Sequence, residues 1–393
     1  MRALTALLSI LCSFVFGLGL LEVGLRLMNK GPAPNVLEFD NRLGWHMQAG
    51  IVVHRKGAEY SVTLRTNEFG LADDPMTDPA KPFGTFRAVV LGDSFTQGFT
   101  VDRGDLFVDL LEQRWRSEGR KADIVNAGCE GYSTDQEVVW LLDNGAKFQP
   151  DLVLLFVYEN DIYWNGSRTY EARDAEKPLF RPDGTLETDT LKDVGPRPWH
   201  ENWAIGLLLK PFLVDRVATA KYYFATPGSP RPINKELAPL LKLEPEFLQN
   251  SLDRTKGALT ALKDKCTELK ARLIVVTIPS HSVVDPTYVK RFAETRFPDL
   301  ASDAWSADKP VDIFLELSRE VGIESLDPRN FLRERAHRGE KLYFDVDWHL
   351  NPNGNRALAE FLHAELDRLN VSPPIIAVGG LLEPDGARRR VAG

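Results

Sequence analysis

Cysteine is scarce in this 393-residue sequence, which contains only Cys12, Cys129 and Cys266. Cys12 lies inside an apolar N-terminal segment, so the rest of the chain can form one disulfide at most, and a disulfide-built fold is excluded. No two cysteines have the C-x-x-C spacing that is typical of structural zinc sites, which argues against such a site.

Basic residues are fewer than acidic residues in this sequence. The 48 lysines and arginines are outnumbered by 56 aspartates and glutamates, which gives a formal net charge of −8. The one short basic run, "ARRR", lies at residues 387–390. Nucleic-acid binding depends on a basic face, so we expect no nucleic-acid partner. Hydrophobic residues make up 43% and charged residues 26% of the chain, as in an ordinary folded domain.

Long apolar runs are confined to the N-terminus. Residues 3–21 contain no charged side chain, and a helix of that length rises about 28 Å, close to the hydrocarbon thickness of a bilayer. A cleaved signal peptide is the competing interpretation, but no A-x-A-like site follows the run. We therefore expect a membrane anchor, and the short basic start favours an extracytoplasmic body, periplasmic if the protein is bacterial. The oligomeric state stays open.

The rest of the sequence alternates apolar strands with amphipathic helices. Such alternation is typical of a parallel sheet covered by helices on both faces, so we predict a three-layer α/β/α fold. We assign an anchor or signal segment to residues 1–30, a lead-in to 31–85, the main domain to 86–369, with an aromatic-rich insertion at about 163–245, and a tail to 370–393. The predicted hairpin is 60–67, the predicted strands are 86–92, 122–128, 151–160, 272–279 and 324–328, and the predicted helices are 105–119, 133–147, 253–271, 310–323 and 352–369.

Small polar residues follow the predicted strands, and the carboxyl ends of parallel strands are where open α/β sheets place their sites. Ser94 follows the first strand in "VVLGDSFTQG", residues 89–98. It is either a nucleophile held at the strand end or part of a helix cap, because Asp and Ser are preferred capping residues. A helix that begins here would also offer free N–H groups to a developing oxyanion.

A serine nucleophile needs a base, and His349 is the foremost candidate among the seven histidines. Asp347 lies two residues before it and Asp345 four residues before it, so either carboxylate could hold the imidazole in the correct tautomer. The competing interpretation is an acidic capping turn before the last helix. His281, near the end of the fourth strand, is a weaker candidate base, and His363 lies within a helix.

Donors for an oxyanion are available at the next two strand ends. Gly128 and Gly131 follow the second strand, where glycine lets the backbone approach a substrate with its N–H free. Asn160 ends the third strand and carries a side-chain amide. Each is also a common turn residue, but their placement at consecutive strand ends favours one shared site.

Four blocks in this order resemble those of the SGNH (GDSL-type) hydrolases. "GDSFTQG" is similar to the serine block, "NAGCEGYST" to the glycine block, "VYEND" to the asparagine block and "DVDWHLNPNG" to the histidine block. The upstream "YSVTLRTNEFGL" is similar to the lead-in of membrane-anchored bacterial members. The resemblance implies a flavodoxin-like fold, Ser94 as nucleophile, His349 as base, and an oxyanion hole formed by the Ser94 N–H, Gly131 and Asn160.

Three positions depart from the family pattern. Phe95 stands where leucine is usual, and Tyr158 replaces a glycine. Val346 occupies the usual place of the acid, three residues before the histidine. Asp347 is therefore the predicted acid and Asp345 the alternative.

The resemblance implies a serine esterase that forms an acyl-serine intermediate, needs no cofactor or metal, and acts on O-acylated glycans or lipid esters. Two other functions stay open: an O-acyltransferase that uses the same residues, and a non-catalytic glycan-binding or assembly protein on this scaffold. A metal site is a further alternative, because Asp345, Asp347 and His349 alternate along an extended segment and would point one way. Asn160 and Asp161 would add ligands to it.

Overall fold

The computed structural model describes residues 2–28, 30–32, 34–75, 78–170, 175–187, 190–193, 202–213 and 222–375. Within these ranges the strands are β1 (Leu37–Asp40), β2 (Gly44–Met47), β3 (Val52–Lys56), β4 (Ser61–Arg65), β5 (Phe86–Leu91), β6 (Ala122–Asn126), β7 (Leu152–Val157), β8 (Thr169–Tyr170), β9 (Ala175–Glu176), β10 (Tyr223–Thr226), β11 (Ser229–Asn234), β12 (Arg272–Thr277) and β13 (Glu324–Leu326). The α-helices are α1 (Arg2–Leu27), α2 (Ser94–Gln97), α3 (Phe107–Ser117), α4 (Thr134–Phe148), α5 (Asp161–Trp164), α6 (Ala204–Leu213), α7 (Glu246–Leu269), α8 (His281–Val284), α9 (Pro286–Arg296), α10 (Lys309–Val321), α11 (Arg329–His337) and α12 (Pro352–Arg368).

Five strands form the central sheet in the order β13-β12-β7-β5-β6, and all neighbours are parallel. The register places Val89 opposite Val125 on one side and opposite Val153 on the other. All six residues of β7 are buried. A strand that is covered on both faces has a continuous apolar sequence, which is why no alternation is seen there. The predicted parallel sheet is confirmed.

Each face of the sheet has its own apolar core. Val89, Val153 and Val275 pack on the face that α4, α7 and α10 cover. Val90 and Leu154 pack on the opposite face, against α3 and α12. The change of face between consecutive residues follows from the two-residue period of a strand. Helices therefore cover both faces, as the three-layer prediction requires.

The lead-in packs directly onto this domain. The predicted hairpin is formed by β3 and β4, with Val53 opposite Leu64. A second hairpin, β1–β2, precedes it and was not predicted. Trp45 and Met47 on β2 are buried in the same apolar core as α4. The first two hairpins therefore contribute to the domain's interior and are not a loose linker.

The insertion lies between α5 and α7, and its described parts include the hairpins β8–β9 and β10–β11 and the helix α6. Trp164 contacts the rings of Tyr170 and Tyr222 with centroids 4.7 and 6.4 Å away, so aromatic side chains form a small core of their own. Residues 171–174, 188–189, 194–201 and 214–221 of the insertion and the tail from residue 376 lie outside the described residues.

Among the described residues, α1 is the one helix long and apolar enough to cross a membrane. Its Leu4–Leu27 segment has a mean hydropathy of 2.3, and its 18-residue apolar window is not buried by the rest of the protein, although Glu22 and Leu25 near its end are. A membrane anchor and a signal sequence share these properties, so the helix is a candidate span.

Candidate active site

The site lies where the strand order reverses. From β5 the chain proceeds to its neighbour β6 and then crosses to β7 on the other side of β5. A crevice forms at the carboxyl ends of parallel strands at such a reversal. Ser94, Gly131 and Asn160 follow β5, β6 and β7 respectively, so this topology brings the three to one edge of the sheet.

Ser94 lies at the first position of α2, and the residue before it supplies the helix cap. The Asp93 carboxylate accepts the N–H of Phe95 at 2.9 Å. Capping therefore belongs to Asp93, and the Ser94 hydroxyl is left to face His349. Its Oγ lies 2.7 Å from His349 Nε2.

The other imidazole nitrogen is held by Asp347. His349 Nδ1 lies 2.6 Å from Asp347 Oδ1, and the same oxygen accepts the backbone N–H of His349 at 3.2 Å. Burial would raise the pKa of Asp347, but the hydrogen bond and charge of His349 outweigh it and keep that pKa below its ordinary value. Asp345 instead accepts from Lys341 Nζ at 2.7 Å and is exposed. The structure thus brings Asp347, and not Asp345, to the imidazole.

Aromatic rings confine the imidazole from two sides. The centroids of Phe95 and Phe99 lie 4.5 and 5.5 Å from that of His349, and the Phe99 ring is nearly parallel to it at 21°. Tyr158, at the position where the family usually has glycine, packs on Phe95 with centroids 4.6 Å apart. The imidazole is 9% exposed, so packing restricts its rotation.

Three hydrogen-bond donors at the ends of β5, β6 and β7 have no acceptor among the described residues. In the described part of the chain, no acceptor takes the N–H of Ser94 or of Gly131, and the Asn160 side chain forms no hydrogen bond. Gly131 has φ +78°, and an added Cβ would lie 3.2 Å from the Tyr170 ring, so glycine is required there. Unpaired donors at a strand edge can stabilise an oxyanion.

Gly128, the other glycine of this block, serves packing. Its N–H donates to Asn126 Oδ1 at 3.0 Å and is therefore occupied. An added Cβ would lie 2.5 Å from the backbone nitrogen of Gln97, inside the contact limit. Gly128 lets β6 approach α2 closely, which fixes the turn that carries Ser94.

The remaining histidine candidates lie elsewhere. His281 stacks between Tyr288 and Tyr343, with ring centroids 3.8 and 4.8 Å away. His363 lies 3.0 Å from Glu118 in a group of charged side chains. Neither is among the contacts that the structure gives Ser94.

The structure does not assemble the metal ligands considered from the sequence. Asp345 turns to Lys341, and the buried Asp161 accepts the N–H of Tyr158 at 3.1 Å. Within the described residues, the one set of three acidic or histidine side chains with ligand atoms inside 4.8 Å is Glu118, His363 and Asp367. Arg120 pairs with both of its carboxylates and Arg114 pairs with Glu118, so two arginines balance the two acidic groups.

A residue beside the site that sequence reasoning missed is Glu59, between β3 and β4. Its carboxylate accepts three consecutive N–H groups, from Asp345 at 2.8 Å, Val346 at 2.7 Å and Asp347 at 2.9 Å. Burial opposes ionisation, but these hydrogen bonds prevail and lower the pKa of Glu59. Nothing in the "GAEY" sequence relates it to a loop almost 290 residues away, so no sequence signal could have identified it.

Buried charges at the start of α4 were also missed. Lys177 of the insertion pairs with Asp135, and both side chains are fully buried. Both carboxyl oxygens of Glu137 are buried without a hydrogen-bond partner among the described residues. Burial, with the charges of Asp161 and Asp93, raises the pKa of Glu137 well above its ordinary value. Acidic residues in a first helical turn usually indicate an exposed helix start, so the sequence did not predict that Asp135 and Glu137 are buried.

The fold and the site together define a three-layer α/β/α protein with a hydrogen-bonded Ser94–His349–Asp347 chain at one edge of its sheet. The model of the GDSL-like lipase/acylhydrolase family matches residues 90–357, more than half of the chain. The chain belongs to this hydrolase family, which confirms the resemblance found in its motifs. No curated protein sequence matches the chain.

Solved structures with a similar fold have low sequence identity to this chain. TesA is 13% identical, covers 72% of this chain and 99% of its own, and has a TM-score of 0.38. The acetyl xylan esterase AlAXEase is 14% identical, with coverages of 72% and 100% and a TM-score of 0.40. A lipolytic G-D-S-L protein from Veillonella parvula is 12% identical, with coverages of 72% and 100% and a TM-score of 0.38. At this similarity they carry no information about the substrate.

Proposed function

We propose that the protein is a serine esterase that hydrolyses acyl esters through an acyl-serine intermediate. The observation that carries the proposal is one continuous hydrogen-bonded chain, from Ser94 Oγ through both nitrogens of His349 to Asp347, with distances of 2.7 and 2.6 Å. A base in contact with the hydroxyl, itself oriented by a carboxylate, is the arrangement that activates a serine.

The chemistry follows from these contacts. His349 Nε2 takes the Ser94 proton while Oγ bonds to the carbonyl carbon of the ester, and the C=O electron pair moves onto oxygen. The N–H groups of Ser94 and Gly131 and the Asn160 amide stabilise that oxyanion. When it collapses, the C–O bond to the alcohol breaks and His349 returns the proton to the leaving oxygen. Water, deprotonated by His349, then releases the acid and restores Ser94.

Two features support an O-acylated glycan or lipid ester as substrate. The indole of Trp348 is 50% exposed beside His349, and Val346 on the same loop is 72% exposed. An exposed, flat apolar surface at the mouth of a site suits a sugar ring or an acyl chain. The candidate span α1 and the basic start of the chain support action outside the cytoplasmic membrane.

An O-acyltransferase would use the same steps, with a glycan hydroxyl in place of water. The intact Ser94–His349–Asp347 chain disfavours the non-catalytic alternative, since a binding protein has no use for it. One experiment can therefore distinguish hydrolysis from acyl transfer.

The test is hydrolysis of p-nitrophenyl acetate by the full chain in detergent micelles. We expect S94A and H349A each to lower kcat by about 10⁶-fold, because either change removes the activated nucleophile. S61A is a matched control: Ser61 Oγ lies 3.1 Å from His54 Nε2, a serine–histidine pair on the exposed hairpin. Its activity should equal that of the wild type.

Activity that survives in S94A and H349A alike would reject the proposal. A wild-type protein that is inactive on simple esters but moves acetyl groups to glycan acceptors, in a Ser94-dependent way, would assign it as an acyltransferase.

A further inference from the structure

The lead-in hairpin reaches across the site to the loop that carries the acid. Glu59, in its turn, receives the N–H groups of residues 345–347 at 2.7 to 2.9 Å. Three successive amides that converge on one point form an anion-binding concavity. Here the anion is a side chain of the protein itself, so the contact fixes the backbone of the acid loop.

The hairpin is in turn fixed to the opposite side of the site. Arg55 on β3 pairs with Glu130, the residue before Gly131, and both side chains are largely buried. The Arg55 guanidinium lies 4.5 Å above the ring of Phe99, which stacks on His349. The hairpin therefore connects the glycine turn, the imidazole packing and the acid loop.

We propose that Glu59 is a positioning residue that holds Asp347 against His349, an inference that rests on the proposed function. With the acid only two residues before the base, the loop must turn tightly to aim Asp347 Oδ1 at Nδ1. The outer side of this loop is exposed at Val346 and Trp348, so packing does not fix it there. The Glu59 carboxylate supplies that constraint.

The test compares E59Q with the wild type, using p-nitrophenyl acetate. We expect kcat to fall about 10- to 100-fold with little change in KM, because a misplaced acid weakens proton transfer more than substrate binding. The acid limb of the kcat/KM profile should move to lower pH, since a less engaged Asp347 stabilises the imidazolium less. In a D347N background, E59Q should have little further effect.

D102N is the matched control, because Asp102 accepts one N–H of the same hairpin, from Thr63 at 2.8 Å. Asp102 forms no hydrogen bond with residues 345–347. An E59Q variant that lowers the melting temperature as D102N does, without changing kcat or the acid limb, overturns the inference. Equal losses from E59Q in the wild-type and D347N backgrounds overturn it too. If S94A retains activity, the proposed function itself fails.

A second inference rests on different residues, where α1 meets the insertion. The Glu22 carboxylate of α1 accepts the N–H of Ala204 at 2.9 Å and of Ile205 at 3.0 Å, at the start of α6. Arg26 donates to Glu22 at 2.6 Å and to the carbonyl of Asn202 at 2.9 Å. A side chain of the candidate span therefore caps a helix of the insertion.

This contact sets the depth of α6 relative to α1. Glu22 lies five residues before the end of the Leu4–Leu27 segment, which places the start of α6 about 8 Å from the end of the span. Trp203, Leu208 and Leu209 on and beside α6 are 51%, 49% and 44% exposed. Tryptophan prefers the headgroup region, and short apolar helices lie in that layer.

We propose that α6 lies in the interface of the same bilayer that α1 crosses, so that the insertion contacts lipid. The test uses the full chain in phosphatidylcholine–phosphatidylglycerol nanodiscs, with Cys12 replaced by serine and a single new cysteine at position 208 or 209. A spin label is attached to the new cysteine, since Cys129 and Cys266 are buried and do not compete for it. We expect these labels to be accessible to oxygen and protected from a water-soluble nickel chelate. L243C is the control, because Leu243 is 66% exposed on another part of the chain.

E22A should move the labels toward water, since it removes the cap that joins α6 to α1. Labels at 208 and 209 that are as accessible to nickel as the label at 243 overturn the proposal. So does isolation from membranes of a mature chain that begins after residue 30, established by mass spectrometry.

Discussion

The sheet and the segments added to it contribute to the site in different ways. The sheet supplies the nucleophile and the proposed oxyanion donors: Ser94, Gly131 and Asn160 each follow a parallel strand, and strand order brings them to one edge. The lead-in and the insertion supply supports, Glu59 at the acid loop and Lys177 beneath α4. The comparison indicates that the parallel sheet positions the nucleophile and the oxyanion donors. The lead-in and the insertion stabilise the surroundings of the site through single tertiary contacts.

One carboxyl group from each region, Glu112 and Glu59, responds to its surroundings in the opposite direction. On α3 of the sheet domain, burial raises the pKa of Glu112 to about 7. On the hairpin, three backbone hydrogen bonds outweigh burial and lower the pKa of Glu59. Burial therefore disfavours the ionised form of Glu112, whereas backbone hydrogen bonds favour the ionised form of Glu59.

After the loss of Ser94 or His349, the largest expected effect is that of removing the acid. We expect D347N to lower kcat on p-nitrophenyl acetate by about 10⁴-fold, as amidation of the acid does in a serine protease, because the imidazole loses its tautomer and its charge partner. D345N should stay within about threefold, since Asp345 forms an exposed ion pair with Lys341. Equal losses in the two variants would contradict the assignment of Asp347.

The next effect concerns stability and the insertion. K177M leaves the buried Asp135 without its counter-charge, which should lower the free energy of unfolding by about 3–5 kcal/mol in thermal melts followed by circular dichroism. Adding D135N should restore most of this loss. K192M is the matched control, because Lys192 belongs to the same insertion and is 83% exposed. A K177M variant as stable as K192M would show that the insertion does not depend on this pair.

The sheet could be predicted closely from the sequence because its strands are buried on both faces. A covered parallel strand is a continuous apolar run, and β5, β6, β7 and β12 each lie within the predicted ranges. Helices with an apolar stripe, such as α3, were also predicted. The helix α11 was missed because "RNFLRERAH" has too few apolar residues to show a period. The helix α9 was missed although Asp285 and Pro286 form a standard helix start.

The site was predictable to the extent that it follows strand ends. Ser94, Asn160 and His349 became candidates through their place after a strand or before the last helix, whereas Gly131 was chosen over Gly128 by the family resemblance. Asp347 was preferred to Asp345 as the acid, but the sequence kept both as candidates because both alternate with the histidine on one short segment. Only the fold shows which one turns toward the imidazole and which toward solvent, and contacts like that of Glu59 exist only once distant segments meet.

The contrast between carboxyl groups predicts a pH effect on stability. Glu112 has a pKa of about 7 in the folded protein, with burial as the main cause. An unfolded glutamate titrates near 4.3, so between about pH 4.3 and 7 the folded state binds more protons. The free energy of unfolding therefore falls as pH rises through this window, by about 3 kcal/mol for this group.

E112Q removes that titration and keeps an acceptor for the Ile124 N–H, which Glu112 holds at 2.8 Å. Relative to the wild type, we expect it to gain about 3 kcal/mol of stability between pH 4.5 and pH 8 in urea unfolding. E59Q should change with pH in the opposite direction, because the pKa of Glu59 is lowered. Parallel curves for wild type and E112Q would show that Glu112 does not titrate in this range.

The smallest expected effect separates substrate binding from chemistry. Trp348 lies on the acid loop but forms no part of the proton-transfer chain, and its half-exposed indole offers apolar area to a bound sugar. We expect W348A to raise KM for O-acetylated oligosaccharides about tenfold, from the loss of roughly 50 Å² of apolar contact, and to leave turnover of p-nitrophenyl acetate unchanged. W348F should recover most of the affinity.

W203A is the control, since Trp203 is equally exposed, at 51%, on the insertion. If W348A lowers activity on both substrates equally, the indole supports the acid loop and does not bind the glycan. Trp348 would then belong with the supporting residues, such as Glu59, and not with a substrate-binding surface.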